Sequence, residues 1–281
     1  MSPILRSVLL GVERSYIEFK QYLRSPQEII WTLIMTVVFL GVIWLQRNKN
    51  VEGMSLALLT LPSLLGMTIA NGGFAGTAGV ISYDREDGTL LRAKATPQGI
   101  VGYLVSRVMY IMYTTAVSLI ILFIPAVFIV DGLLDVGISG LLLFLGLFLM
   151  GLAATAPVGA VIGSLVKSST SGFGLTFLPF AGLVAISGIF YPITALAGWL
   201  QVIGQAFPLY WLGHGIRAIF LPDTAAAEIG GEWRIGMAFV VLAAWTAVGM
   251  AIAPRVLRRM AQGESGSAVE ARKQRVMGRG Y

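Results

Sequence analysis

Apolar residues along the chain fall in blocks of about 18 to 30, each almost free of charge. A helix needs about 20 apolar residues to cross a bilayer. The blocks run 29–46, 54–82, 100–130, 137–166, 171–191 and 235–254. They predict an all-α integral membrane protein with six transmembrane helices. At 1.5 Å per residue the first and shortest block gives roughly 27 Å, close to the hydrocarbon thickness. Between the last two blocks, 192–221 is apolar but interrupted by Pro192, Gly198, Gly204 and Pro208. Pieces of about a dozen residues are too short to span. They predict a re-entrant or interfacial hairpin between spans five and six, with a seventh span as the alternative.

The ends of the blocks carry their own signals. Ser25, Pro26 and Glu28 fit an N-cap, a first-turn proline and a glutamate three residues after the cap. A cleavable signal peptide fits this region poorly, because a long charged segment precedes the block and no A-x-A site follows it. Before the first span, Leu5, Leu9, Val12, Tyr16, Phe19 and Leu23 recur at steps of three and four. This predicts an amphipathic helix over 3–24, capped by Ser2 and Pro3. It either lies in the membrane interface or packs on the protein's own inner side. Pro62, Pro125, Pro157 and Pro179 are expected to kink their helices. The membrane domain spans 1–261. Residues 262–281 are rich in Gly, Ser and charge and predict a disordered basic tail, either solubilising or touching anionic lipid.

Composition agrees. Of 281 residues, 56% are hydrophobic and 12% charged, about half the charged fraction of a soluble domain. The absence of cysteine excludes disulfides and thiolate metal sites. The one histidine, His214, cannot build a His-based metal cluster within the chain, and in the broken segment it is expected as an interfacial hydrogen-bonding residue. The net charge of +6 gives direction. Arg6, Arg14, Lys20 and Arg24, then Arg85, Arg92, Lys94 and Arg107, then Lys167 and the arginines and lysine from Arg255 onward lie on one side. Arg47, Lys49, Arg217 and Arg234 lie on the other. Basic residues mark the cytoplasmic side, and six spans put both termini there, as expected for a multi-pass plasma-membrane protein.

The spans lack the groups that ion coupling and hydrolysis need. No Asp or Glu falls within their cores, and Arg107 is the single cation near an inner end. That argues against an ion-coupled carrier and against an intramembrane hydrolase; no catalytic or metal site is expected. Asn71 is the one amide deep in a span, with Gly72 and Gly76 beside it as G-x-x-x-G, a spacing repeated at Gly159 and Gly163. Small residues let membrane helices approach closely. These three positions serve helix packing, with Asn71 in a buried interhelical hydrogen bond, or line a translocation path.

The link between spans two and three, residues 83–97, is dense in charge. Thr96 and Pro97 fit a cap and first-turn proline for span three. The link suits either docking into a partner or an ordinary solvated loop. Its pattern of Glu86, Gly88, Thr89 and Leu90 followed by Thr96 and Pro97 resembles the coupling-helix region of ABC type-2 transporter permeases. So does the stretch 187–192, Ser-Gly-Ile-Phe-Tyr-Pro, followed by Trp199, Leu200, Phe207, Pro208 and Leu209. Ala197 departs from the family, where a proline is common. The resemblance implies an exporter permease that pairs with a second copy or a paralogue. Tyr83, Asp84, Arg85, Glu86, Asp87, Gly88, Thr89, Leu90 and Arg92 would couple it to a cytoplasmic ABC ATPase. The chain has no G-x-x-x-x-G-K-[ST] sequence, so ATP and magnesium would bind in that partner and this chain would carry no cofactor. The implied substrates are drug-like, lipidic or glycan molecules; membrane lipid is a further expected contact and nucleic acid is not. An ion-coupled carrier and a non-transporting membrane scaffold are the alternatives.

Overall fold

A computed structural model describes residues 2–51, 54–96, 99–130, 136–166, 169–223, 225 and 228–263. The expectations for Pro97, Lys167 and the tail beyond residue 263 lie outside these residues. The described chain is almost entirely helical. The exception is a two-residue antiparallel pair, β1 (Asn50–Val51) with β2 (Met54–Ser55). That pair claims the start of the second apolar block, because it turns the chain back tightly after the first span.

Among the described residues, five helices are long and apolar enough to cross a membrane. The first is α2 (Pro26–Gln46), with Pro26 in its first turn as expected. The Ser25 side chain makes no cap bond there. The second runs from residue 56 to 86 as α3 (Leu56–Asn71), a π-helical turn at Gly72–Gly76, and α4 (Thr77–Glu86). It continues past the apolar block, so residues 83–86 extend the span as helix. A short α5 (Thr89–Lys94) follows. The remaining long spans are α6 (Gly99–Val127), α7 (Ile138–Leu165) and α11 (Ile235–Gly263), the last continuing well beyond its apolar block. The fifth block holds α8 (Ser169–Ile186), a shorter apolar helix. It stops before residue 191 because Gly188 adopts a left-handed φ of 66° and turns the chain.

The small residues decide the packing. A Cβ on Gly159 of α7 would collide with the Phe74 carbonyl oxygen, and one on Gly163 would sit 2.6 Å from the Ala78 carbonyl oxygen. The predicted G-x-x-x-G of α7 is therefore the seam against the π turn and α4. Gly249 of α11 meets Pro157 of α7, and Gly146 of α7 meets Phe239 of α11. These pairings make α4, α7 and α11 run in the same direction. Gly72 against Thr115 and Gly76 against Ile111 make α6 run opposite to them.

The N-terminal helix, α1 (Pro3–Arg24), is capped by Ser2, whose Oγ accepts from the Leu5 amide. It packs along α6 chiefly through residues beside its apolar stripe, with Phe19 of the stripe against Tyr113. Its buried residues are Gly11, Ser15 and Tyr22. A Cβ on Gly11 would lie 2.5 Å from the Gly102 carbonyl oxygen, an approach only a small residue allows. Leu5, Leu9, Tyr16 and Leu23 stay exposed.

The broken segment resolves into α9 (Gly198–Gln205) and α10 (Pro208–Phe220). Here α10 is core. Every residue from Pro208 to Arg217 is buried, and Gly213 lies against Gly66 of α3.

Candidate functional site

The link residues sit at the end of the bundle that carries Arg85, Arg92 and Arg107, its basic end. The local fold follows from the sequence. Asp87 ends α4; its carboxylate accepts from the Thr89 amide at 2.8 Å and from Thr89 Oγ1 at 2.7 Å. Gly88 takes a φ of 78°, which a glycine allows cheaply, and starts α5. Arg92 donates back to Thr89 Oγ1 at 2.9 Å. On the other face Leu90, Ala93 and Tyr103 form a small buried cluster that seats α5 on α6. Thr96, expected to cap the third span, instead donates to the Ala93 carbonyl at 3.1 Å and closes α5.

The nine predicted link residues divide by what they touch. Tyr83 is 64% exposed, and Arg92 is open to solvent. Asp84 is 3% exposed and faces inward. Tyr103 donates to its carboxylate at 2.8 Å. Arg107 Nε lies 2.7 Å from the same oxygen, as a charge contact rather than an aligned hydrogen bond. Arg107 also donates to both oxygens of Glu18 on α1, at 2.6 and 3.2 Å. Arg14 donates to Glu18 at 2.8 Å as well. The next residue, Arg85, reaches the opposite way: its guanidinium donates to the Ser164 and Val166 carbonyls at 2.6 and 3.0 Å. Those are last-turn carbonyls of α7, which lack intrahelical donors and attract a cation. Adjacent residues of α4 thus tie the link to α6 and α1 on one side and to α7 on the other.

Gly72 and Gly76 pack against α6. Asn71 does not join them. Its side chain is exposed and makes no hydrogen bond among the described residues, so the buried interhelical bond is not formed among them. It lies on an open stripe with Ala75, Gly79 and Tyr83, beside the π turn, on a span that is otherwise mostly buried. A π turn inside a helix is frequent at functional positions.

A second polar cluster, at the opposite end, escaped sequence reasoning. His214 is fully buried. Its Nε2 accepts from the Arg234 amide at 3.0 Å, so its Nδ1 carries the proton and donates to Glu228 at 2.9 Å. Arg217 pairs with Glu228 at 2.6 Å and donates to Ser63 of α3 at 2.7 Å; Tyr210 donates to Glu228 at 3.1 Å. Burial pushes the Glu228 carboxyl up, but the Arg217 charge and the bonds from His214 and Arg217 outweigh it and hold it down at about 2. The group is internally satisfied and acts as a strut fixing α10 to α3, to the loop at Glu228 and to the start of α11. Only the i, i+3 spacing of His214 and Arg217, both on α10, hinted at it; Glu228 comes from a loop that no periodicity marks. Among the described residues no group of His, Asp and Glu is arranged to hold a metal ion.

The comparison with known families agrees with this architecture. The model of the ABC-2 type transporter membrane domain matches residues 15–221. The chain belongs to the ABC-2 type transporter family and is a multi-pass membrane permease of an ABC transporter. No curated protein matches it in sequence.

Proposed function

We propose that the chain is the permease subunit of an ATP-driven exporter, coupled through residues 83–92 to a separate cytoplasmic ATPase that binds ATP and magnesium. The observation that carries this is the division of the link. Tyr83 and Arg92, both open to solvent, form the docking side, with half-buried Glu86 next to them in the link. Asp84, Arg85 and Leu90 transmit, because they reach α6 and α7 directly and α1 through Arg107. A push on α5 would then move α6, α7 and α1 together rather than bend a loose loop. Asp87, Gly88 and Thr89 hold the shape between the two sides.

Helix directions support six spans with both termini inside. Since α7 and α11 run the same way, the chain must recross between them, and α8 is the apolar helix available. On that reading α9 and α10 form a re-entrant hairpin dipping from the outer face. The open stripe at Asn71 faces a second copy or a paralogue, and the path for a drug-like, lipidic or glycan substrate runs between the two. Such a stripe, with an amide at mid-span, is costly against lipid.

The test is co-purification in detergent with the ATPase, comparing the native chain with Glu86→Lys. We expect weaker recovery of the ATPase, or ATP hydrolysis that no longer responds to the permease. An unchanged complex with normal coupling would sink the docking assignment.

A further inference from the structure

We infer that α1 carries a binding surface for anionic phospholipid, built from Arg6, Lys20 and Arg24 beside its open apolar stripe. This rests on the cytoplasmic placement of the N-terminus proposed above. The chain brings four cations to α1, and the structure separates them. Arg14 is held by Glu18, which also binds Arg107 of α6. Arg6, Lys20 and Arg24 are exposed and have no carboxylate partner among the described residues.

Their placement on the helix is specific. At about 100° per residue, Leu5, Leu9, Tyr16 and Leu23 fall in one sector, and Lys20, Arg6 and Arg24 fall in the sector next to it. Both sectors lie away from the face that Gly11, Ser15 and Tyr22 press onto α6. Glu13 shares the cationic sector, which keeps a net positive charge. Lys20 Nζ lies over the Tyr16 ring, 4.4 Å from its centre, so an aromatic ring and a cation meet at the seam of the two sectors. An apolar stripe bordered by cations on long stems matches a leaflet: the stripe enters the acyl boundary and the cations reach the phosphates. A soluble acidic partner would use the charges but leave the leucines in water. The inner leaflet is the anionic surface that uses both.

The surface is also wired to the link. Glu18 faces Arg107, and Arg107 faces Asp84, so lipid that fixes α1 also fixes one side of the coupling segment.

The test measures lipid retention on the purified full chain, independently of any ATPase. The protein is placed in nanodiscs of phosphatidylcholine with about one-third phosphatidylglycerol, and tightly held lipid is read by native mass spectrometry. The triple variant Arg6→Gln, Lys20→Gln, Arg24→Gln should retain at least about tenfold less phosphatidylglycerol than the native chain, since each cation near the surface contributes separately. Arg6→Lys with Arg24→Lys should restore retention, which also answers any concern that the triple variant misfolds. Arg255→Gln with Arg259→Gln, on exposed positions of α11, should retain it. Equal retention by the triple variant, equal loss in the α11 variant, or displacement of the lipid by free inorganic phosphate would each overturn the proposal. Glu86→Lys should keep its lipid whether or not it keeps its ATPase, so the two readings fail separately.

Discussion

Arg107 of α6 lies 2.7 Å from the buried carboxylate of Asp84 on α4, and the same guanidinium is the only cation that joins α4 to α1 among the described residues. Removing one partner of a buried pair strands the other. Arg107→Ala leaves both Asp84 and Glu18 without it and should cost about 3 kcal/mol of stability. Thermal unfolding in detergent checks the cost. Asp84→Asn keeps the shape and the Tyr103 contact while removing the charge. It should still assemble with the ATPase, because Asp84 is not on the docking side, but should lose the stimulation of ATP hydrolysis by substrate. If Asp84→Asn failed to assemble while remaining folded, the split between docking and transmission would be wrong.

The opposite end should respond to acid. Glu228 is held at about 2, below its ordinary value of 4.5. A depressed carboxyl stabilises the fold fully above its unfolded pKa, and that contribution falls as pH drops from about 4.5 towards 2. A shift of this size corresponds to about 3 kcal/mol. The native chain should therefore lose thermal stability over that window by more than Glu228→Gln, which starts lower and stays flatter. Parallel curves for the two proteins would mean that the carboxylate is not held by Arg217 and His214 as described.

Two glycines on neighbouring spans, Gly159 of α7 and Gly79 of α4, should behave oppositely. Gly159→Ala drives a methyl group into the Phe74 carbonyl, a backbone atom that cannot step aside. Overpacking of this kind costs typically 1 to 3 kcal/mol, and roughly the upper figure is expected here. Gly79→Ala meets nothing within 4 Å among the described residues and should be neutral or slightly stabilising for the isolated subunit, by up to about 1 kcal/mol. Unfolding midpoints of the two variants, measured side by side, decide it.

Five spans among the described residues were legible because hydrophobicity alone selects them, and the seam of α7 was legible because G-x-x-x-G has a direct steric meaning. What was not legible depended on contacts between distant segments. The apolar face of α1 suggested what it would bury, yet Gly11 and Ser15 make the contact, because close approach to α6 rewards small side chains over large ones. The prolines and glycines of 192–221 marked short helices correctly but gave no sign that α10 would be core. That position comes from Gly66 meeting Gly213 and from Arg217 reaching Ser63. In the link, sequence grouped nine residues as one site; only the fold separates Asp84 and Arg85, which point inward to different helices, from Tyr83 and Arg92, which do not.

The open stripe on the second span can be tested directly, since the native chain contains no cysteine. Asn71, Ala75 and Gly79 share one face, and each is at least partly open within the chain. If a second copy or the shared path lies there, Ala75→Cys should cross-link to a like subunit through a short bifunctional reagent in membranes. A cysteine on the lipid-facing side of α7, such as Leu142→Cys at a residue 65% exposed, should not. Small residues permit the close approach that short reagents need, as they do at other membrane helix pairs. Asn71→Leu removes the mid-span amide without adding much bulk. It should leave the unfolding midpoint of the isolated subunit within about 0.5 kcal/mol, because the amide has no partner to lose among the described residues. It should nonetheless change substrate-stimulated ATP hydrolysis by severalfold if the amide faces the path. Absence of cross-linking at Ala75 together with native turnover in Asn71→Leu would turn this face towards lipid, and the pairing of subunits would have to use another side of the bundle.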